Sequence, residues 1–244
     1  MDKKVSFVIL FGLPGSGKST FAKVLAGRCK EEGLLCVETS RDSYRHQKDG
    51  SYKFVPVREP AIQAAHLETL RQLSEERFHD VIIVDDANLS EEQVVGTLLA
   101  ISGDNNNVFF VDFVPLPHIV HMTRLAENGH EMPPERFVEM RRSYNETKQK
   151  VNELNIHTYT IQIDREAMLG GRTDEQQRII FDVTAGNIVN DIKSGDSFNF
   201  ELLGFRVERC SWVKRNLLDI YKQHVLGAIR EKEEDEPASK KPKN

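Results

Sequence analysis

Residues 12–20 read Gly12-Leu13-Pro14-Gly15-Ser16-Gly17-Lys18-Ser19-Thr20, which matches the pattern G-x-x-x-x-G-K-[ST]. Residues 5–11 before them are almost continuously apolar, as in a strand covered on both faces. Residues 19–32 after them have the apolar spacing of a helix. A glycine-rich turn between a strand and a helix is the context that this motif requires. The segment therefore predicts a phosphate-binding loop.

The loop predicts how a nucleoside triphosphate is bound. Glycines let backbone N–H groups turn toward phosphate oxygens, and the following helix adds its positive N-terminus. Lys18 is expected to hold the β- and γ-phosphates, and the Ser19 hydroxyl is expected to bind Mg²⁺. The predicted nucleotide-binding residues are Gly12, Pro14, Gly15, Ser16, Gly17, Lys18, Ser19 and Thr20. The expected ligands are ATP or GTP together with Mg²⁺.

Outward from the loop, short apolar runs alternate with helical patterns. The pattern predicts further strands over 34–38, 81–84, 108–114 and 159–163. It predicts helices over 60–78, 90–101, 117–128 and 133–154. Strands that alternate with helices form a parallel sheet flanked by helices. The predicted fold class is α/β, of the P-loop NTPase kinase-like type, with a helical lid near residues 124–142 and a small C-terminal extension.

The chain of 244 residues suits one domain with a small appendage. The kinase-like domain is expected to cover 1–171 and to end at Gly170-Gly171. Residues 172–230 are predicted to form a helical or mixed extension, with a helix from Thr173 towards Lys193, a strand over 198–207 and a helix over 211–230. Residues 231–244 are acidic, then basic, and without periodicity, so a disordered charged tail is expected.

Composition excludes several classes of protein. A net charge of −5 and a pI of about 5.9 argue against a basic nucleic-acid coat, although a local basic patch stays open. Three cysteines without a C-x-x-C pair exclude a disulfide scaffold and fit a reducing compartment. The apolar run 5–11 is too short to span a membrane, and it leads into the loop instead of a cleavage site. We therefore expect a cytoplasmic or nuclear protein that has no membrane partner.

A second polar site follows the predicted strand 81–84 and reads Asp85-Asp86-Ala87-Asn88. A carboxylate that leaves a buried strand beside the phosphate loop would reach Mg²⁺ or its waters. The sequence alone does not choose between Asp85 and Asp86. A polar turn that caps the next helix is the alternative interpretation.

A third polar segment follows the second predicted strand and reads Ser40-Arg41-Asp42-Ser43-Tyr44-Arg45. Ligands of open parallel sheets bind at the carboxyl ends of the strands, so this segment is expected to face the same crevice as the phosphate loop. Asp42 is well placed to accept a proton from an acceptor hydroxyl, and Arg45 to hold an anion. A charged surface turn is the alternative.

Together these segments resemble the polynucleotide 5′-hydroxyl kinases, including the phage type. In that family a GxPGSGKST loop is followed by R-D-x-Y-R and then by D-x-N-L. This chain has the loop, Arg41 to Arg45 and Asp86 to Leu89 in the same order. Residues 49–54 are similar to the kinase-like domains of NEDD4-binding protein 2 and its relatives, and the double acid is similar to the P-loop half of 2′,3′-cyclic-nucleotide phosphodiesterase. The resemblance covers residues 5–165, and nothing familiar matches 172–244.

The resemblance implies ATP-dependent phosphoryl transfer to a 5′-hydroxyl of RNA or DNA, with a nucleic-acid end as the partner. It implies that Asp42 is the general base and that Arg45 contacts an acceptor phosphate. The implied catalytic residues are Lys18, Asp42, Arg45 and Arg124. The implied metal ligands are Ser19, Asp85 and Asp86, and the implied acceptor contacts are Arg41, Asp42, Arg45 and Asn88.

The predicted lid departs from the family pattern, which carries arginines as R-x-x-x-R or R-R-N-x-H before a proline-opened helix. Asn128 and His130 match the second form, but Ala126 and Glu127 replace its arginine pair. Arg124 is the candidate substitute, and Arg136, Arg141 and Arg142 lie on the next predicted helix. A supplied arginine is worth about 10³–10⁵ in rate, so this substitution bears directly on catalysis.

Two other functions stay open. A small-molecule P-loop kinase would use the loop and Asp42 in the same way, and the acidic pI leans towards it. A nucleotide-binding adaptor with weak or no catalysis would explain the incomplete lid, with residues 172–230 as a surface for a protein partner.

Overall fold

The computed structural model describes residues 4–46, 52–102, 106–129, 132–154, 156–163 and 173–195. In this part of the chain the strands are β1 (Val5–Phe11), β2 (Cys36–Thr39), β3 (Val81–Val84), β4 (Asn106–Phe113) and β5 (His157–Ile161). The helices are α1 (Lys18–Glu31), α2 (Glu59–Glu76), α3 (Glu91–Ala100), α4 (His118–Glu127), α5 (Pro134–Glu153) and α6 (Thr173–Ser194). Short 3₁₀ segments occupy Arg41–Arg45 and Pro56–Arg58. His130, the predicted strand 198–207, the predicted helix 211–230 and the charged tail lie outside the described residues.

The five strands form one sheet in the order β2-β3-β1-β4-β5, and every neighbouring pair is parallel. β1 lies at the centre, where Val8 stands between Ile83 on β3 and Phe109 on β4. Because all strands run the same way, the segments after β1, β2 and β3 meet at one edge of the sheet. The predicted α/β fold, a parallel sheet flanked by helices, is confirmed.

Alternate side chains of β1 pack into two separate layers, as the two-residue repeat of a strand requires. Phe7, Ile9 and Phe11 join the layer that contains α2, α3 and α5. Val8 and Leu10 join the layer that contains α1 and α6. The sheet is thus covered on both faces, and this explains why β1 and β3 are apolar at nearly every position.

The apolar runs located β1 and β3 to the residue, but they misplaced the bounds of β4 and of the two edge strands. β4 was predicted over 108–114 and spans Asn106–Phe113. β2 begins at Cys36, because Leu34 belongs to the turn after α1, where its N–H donates to the carbonyl of Cys29. β5 was predicted over 159–163 but spans His157–Ile161. An edge strand pairs through its backbone on one side only, so polar residues such as His157 can belong to it.

α6 begins at Thr173, as the capping pattern predicted, and it packs against α1 beneath the phosphate loop. Phe181 makes edge-to-face contacts with Phe21 and Phe113, at centroid distances of 5.4 and 5.9 Å. Arg28 of α1 donates to both carboxylate oxygens of Asp182, at 2.6 and 2.7 Å. The domain boundary at residue 171 stays a prediction, but the described helix beyond it shares the core of the sheet.

None of the helices in the described part of the chain combines the length and the apolar character that crossing a membrane requires.

Candidate active site

A cavity of about 1310 Å³ opens at the carboxyl edge of the sheet. Its lining comes from the phosphate loop, the segment after β2, the end of β3, and helices α2, α3, α4, α5 and α6. The predicted site residues that line the cavity are Pro14, Gly15, Gly17, Lys18, Ser19, Thr20, Arg41, Asp42, Arg45, Asp85, Asp86 and Arg124. Nearly the whole predicted site is therefore brought together in one place.

The phosphate loop depends on its glycines. Gly17, which precedes α1, has φ of 96°, in the left-handed region that favours glycine. A Cβ at Gly12 would lie 2.8 Å from the Cβ of Phe113, so only glycine lets the loop pass this close to β4. Ser16 belongs to the loop, and its hydroxyl is buried and has no hydrogen-bond partner in the described structure.

Lys18 lies in the hollow of the loop. Its Nζ donates to the carbonyls of Gly12 at 3.0 Å and Leu13 at 2.9 Å. Burial lowers the pKa of Lys18 from its ordinary value, and this effect is opposed by the charges of three nearby carboxylates, Asp85, Asp86 and Asp42. An ammonium held among carbonyls at the start of a helix suits an incoming phosphate chain.

The structure gives the two acids after β3 different surroundings. The hydroxyl of Ser19 and the charge of Lys18 both act to lower the pKa of Asp85. Burial nevertheless raises the pKa of Asp85 above its ordinary value, because the charged form is poorly solvated there. A cation beside this carboxylate would relieve that cost.

Ser19 and Asp85 fit a magnesium ion. Both offer oxygen atoms, which are the ligands that Mg²⁺ prefers, and both line the cavity beside Lys18. Within the described residues no three His, Cys, Asp or Glu side chains form a cage for a metal. Such an open arrangement suits Mg²⁺, which is usually held by one or two protein oxygens together with the phosphates of the substrate.

Asp86, by contrast, belongs to a buried network. Its Oδ1 accepts from the N–H of Arg41 at 3.3 Å and lies 3.1 Å from the Nε of Arg41. Its Oδ2 lies 3.2 Å from the Nδ1 of His66, whose Nε2 is 3.1 Å from the hydroxyl of Thr39. Burial lowers the pKa of His66 to about 4, so the imidazole is neutral and donates one N–H to Asp86. Arg41 also donates to Gln63 of α2 at 3.0 Å, so its guanidinium connects Asp86 at the end of β3 to α2.

Exchanging each acid for its amide separates these roles. Asp86→Asn is expected to lower the free energy of unfolding by about 3–5 kcal/mol, because it leaves the buried guanidinium of Arg41 uncompensated. Asp85→Asn is expected to leave the free energy of unfolding unchanged or higher, but to abolish the Mg²⁺-dependent part of ATP binding. Urea unfolding without nucleotide, and calorimetry of ATP binding with and without Mg²⁺, measure the two effects. Equal destabilisation by both changes would contradict this division.

Asn88 does not face the cavity. Its side chain is buried, and its Nδ2 donates to the carbonyl of Leu10 at 2.7 Å. It has φ of 52°, which is uncommon for a residue other than glycine but tolerated by asparagine. Gly12 N–H donates to the carbonyl of Ala87 at 3.1 Å beside it. Asn88 thus ties the turn after β3 to β1, and its amide nitrogen bonds the backbone instead of facing the cavity.

Asp42 lines the same cavity as the loop and is 56% exposed at its side chain. Its backbone N–H donates to Ser40 Oγ at 3.1 Å, which begins the 3₁₀ turn. Its Oδ1 pairs with Arg45 and accepts from the hydroxyl of Tyr52 at 3.3 Å. Arg45 also donates to both oxygens of Glu59, at 2.9 and 2.5 Å. The predicted acceptor segment is therefore a preorganised group of charges with one accessible carboxylate.

Arg124 of α4 is the lid arginine that lies against the phosphate loop. Its guanidinium is 3.5 Å from the carbonyl of Gly15. It also donates to Gln177 at 2.7 Å and to Asp174 at 2.9 Å, both on α6. Arg136 lines another part of the cavity, whereas Arg141 and Arg142 do not line it.

Sequence reasoning missed Gln177. Its Nε2 donates to the carbonyl of Ser16 at 3.1 Å while its Oε1 accepts from Arg124, so one buried amide joins the loop to the lid. The capping pattern at Thr173 to Gln176 located the start of this helix. No signal in the sequence indicated that the first turn of α6 would lie on the phosphate loop.

His121 of α4 was also absent from the predicted site. Its Nε2 accepts from the N–H of Leu116 at 3.0 Å, which leaves Nδ1 to donate to the carbonyl of Pro14 at 2.8 Å. Burial lowers the pKa of His121 to about 4, and the nearby charges of Lys18, Arg124 and Arg141 act in the same direction. The neutral imidazole of His121 therefore connects Pro14 of the loop to α4.

His121→Gln is expected to flatten the dependence of folding stability on pH. Between pH about 6.5 and about 4 the unfolded chain carries a proton on His121 that the folded protein excludes, so this group lowers stability as the pH falls. The full effect is about 3 kcal/mol. Urea unfolding across this range should show a smaller loss for His121→Gln than for the wild type, whereas His118→Gln, at an exposed position on the same helix, should behave as the wild type. Identical slopes in His121→Gln and the wild type would refute the prediction.

The sheet order, the loop and the acid at the end of β3 define a P-loop kinase-like protein. The family model described as chromatin associated protein KTI12 matches residues 5–152. The match covers more than half of the chain, and the protein belongs to the KTI12 family. The predicted relation to P-loop kinases is confirmed at this coarse level.

Several solved structures are similar to the chain. A chain of the Pnkp1/Rnl/Hen1 RNA repair complex is 24% identical, with 62% of this chain and 47% of that chain covered and a TM-score of 0.49. A gluconokinase from Sinorhizobium meliloti 1021 is 14% identical, with 78% and 98% covered and a TM-score of 0.44. Shikimate kinase from Acinetobacter baumannii is 14% identical, with 76% and 96% covered and a TM-score of 0.45. The protein spans about half the length of the first of these. No curated protein sequence matches it.

Proposed function

We propose that the protein transfers the γ-phosphoryl group of ATP to a 5′-hydroxyl of RNA or DNA. The observation that carries the proposal is the position of Asp42, an accessible carboxylate in the same cavity as Lys18, Ser19 and Asp85. A site that only binds a nucleotide would need no further accessible carboxylate in the same cavity. A carboxylate there is suited to activating an acceptor hydroxyl.

The residues of the cavity have complementary parts in this reaction. Asp42 accepts the proton of the acceptor hydroxyl, whose oxygen forms a bond to the γ-phosphorus while the bond from that phosphorus to the β–γ bridging oxygen breaks and ADP leaves. Lys18 and Arg124 balance the negative charge on the transferring group. Mg²⁺, held by Ser19 and Asp85, would supply further charge neutralisation at the β- and γ-oxygens. The walls of the cavity hold donor and acceptor in line.

A second candidate is a nucleotide-binding adaptor with weak or no catalysis. The description of the family as chromatin associated favours it, because that description names an association and not a reaction. The same description supports a nuclear location for this chain. The position of Arg124 on the loop supports catalysis instead, since this arginine could substitute for the pair that Ala126 and Glu127 replace.

A small-molecule kinase is distinguished by its acceptor and not by its donor site. The test is transfer of labelled γ-phosphate from ATP, with Mg²⁺, to 5′-hydroxyl oligonucleotides of RNA and DNA, with Lys18→Ala as the control. Label on an oligonucleotide that is lost in Lys18→Ala supports the proposal and reports the preferred acceptor. Measurable ATP binding without label on any oligonucleotide would refute it. A parallel series with GTP reports the preferred donor.

A further inference from the structure

The cavity has a second charged region, away from the phosphate loop, around the ring of Phe54. The guanidinium carbon of Arg136 lies 4.5 Å from the centre of this ring, and that of Arg45 lies 5.5 Å from it. All three residues line the cavity. Arg45 in turn pairs with Asp42, so the aromatic ring and its two guanidiniums extend outward from the proposed general base.

The arginines near Phe54 and Asp42 differ in whether a carboxylate neutralises their charge. Arg45 is paired with two carboxylates, those of Asp42 and Glu59. Arg41 is paired with Asp86. In the described part of the chain Arg136 has no carboxylate partner and no hydrogen bond, and its guanidinium rests on Phe54 in an exposed position. Arg136 is therefore the cation at this end whose charge is available to a ligand.

A guanidinium can contact the face of an aromatic ring and still present the planar fork of its N–H groups to a ligand. This geometry matches the paired oxygens of a phosphate, which arginine binds with two parallel hydrogen bonds. A neutral acceptor would leave this charge unused.

We propose that Arg136 on Phe54 forms a binding site for a phosphate of the acceptor, namely the phosphodiester that follows the reacting 5′-hydroxyl in a nucleotide chain. The inference rests on the proposed function, and it names the feature by which the site would distinguish a polynucleotide from a neutral small molecule. The donor phosphates belong to the other end of the cavity, where Arg124 and not Arg136 contacts the loop.

The test compares three acceptors that share one nucleoside: the free nucleoside, its 3′-monophosphate, and the 5′-hydroxyl dinucleoside monophosphate. Each is assayed with the wild type, Arg136→Ala and Phe54→Leu. Arg142→Ala is the matched control, since Arg142 is exposed on the same helix and does not line the cavity. The measured quantities are kcat/KM for each acceptor and KM for ATP.

Arg136→Ala is expected to lower kcat/KM about 10- to 100-fold for the two acceptors that carry phosphate. It should change kcat/KM for the free nucleoside, and KM for ATP, by less than about twofold. Phe54→Leu should cause a smaller loss with the same selectivity, about two- to fivefold, because it removes only the support of the guanidinium. Arg142→Ala should match the wild type.

An equal loss for all three acceptors would overturn the proposal, because Arg136 would then act on the transferring group. A loss of the same size in Arg142→Ala would overturn it as well. If the 3′-monophosphate serves as well as the dinucleotide, with the same dependence on Arg136, the phosphate site is supported and its source is a small acceptor.

If the wild type transfers phosphate to no acceptor, the proposed function fails, and the phosphate site is judged by binding. Anisotropy of a 5′-hydroxyl trinucleotide, labelled at its 3′ end, reports this with a non-hydrolysable ATP analogue present. Weaker binding to Arg136→Ala than to Arg142→Ala, with a shallower salt dependence, would support the site. Equal binding to both variants would overturn it.

Discussion

Replacing Arg124 with alanine is expected to lower the rate of phosphoryl transfer by about 10³- to 10⁵-fold. Arg124 is the arginine that reaches the phosphate loop from the lid, at 3.5 Å from the carbonyl of Gly15. An arginine at this position, in the lining of the cavity, can stabilise charge that develops on the transferring group. Single-turnover measurement of transfer from ATP isolates this step from product release.

The matched control is Arg141→Ala, which removes an exposed arginine that does not line the cavity. It should retain nearly the full rate. Gln177→Ala should lower the rate by a smaller factor, because Gln177 positions Arg124 through a hydrogen bond. The double variant should lose about as much rate as Arg124→Ala alone, because both single changes act through the guanidinium of Arg124. A loss below about tenfold in Arg124→Ala would mean that the adaptor explanation is the better one.

Asp42→Asn is expected to lower kcat by about 10²- to 10⁴-fold while changing the dissociation constant of ATP by less than about twofold. The amide keeps the size of the carboxylate but cannot take a proton from the acceptor. The hydrogen bonds of Asp42 go to Ser40, Arg45 and Tyr52 and not to the phosphate loop, so the donor site should survive. Initial rates at saturating substrates and calorimetric titration with ATP measure the two quantities.

Asp182→Asn serves as the control for Asp42→Asn, because Asp182 is also an exposed carboxylate paired with an arginine but lies on α6 away from the cavity. It should have wild-type kcat. Full activity in Asp42→Asn would remove the general-base assignment. Loss of ATP binding in Asp42→Asn would instead show that the change disturbs the whole site.

Most residues predicted for the donor side lie at one cavity because they come from local sequence patterns. The loop residues are consecutive, and the runs of β1 and β3 are apolar for the simple reason that both faces of the sheet are covered. The acid pair illustrates the limit. Asp85 and Asp86 are adjacent and chemically identical, so only the neighbours that the fold brings to them, Ser19 for one and Arg41 with His66 for the other, separate their roles.

Contacts between distant segments explain what the sequence did not predict. Gln177 is polar and lies in a helix without other marks of function, yet it bonds the loop across a separation of 161 residues. Asn88 lies in the segment that resembles the polynucleotide kinases, which suggested an acceptor contact. Its amide nitrogen donates instead to the backbone carbonyl of Leu10. Neither outcome follows from residue type or spacing, because both depend on which element packs beside which.

The bond from Gln177 to Ser16 also fixes when the site can be completed during synthesis of the chain. The loop, both acids and Arg124 leave the ribosome before residue 177 does, so an early folding unit can hold the donor pocket while its lid arginine is still unanchored. Joining elements so far apart is entropically costly and tends to come late in folding. Nucleotide present at that stage would favour the final docking of α6, because a ligand stabilises the conformation that it binds best.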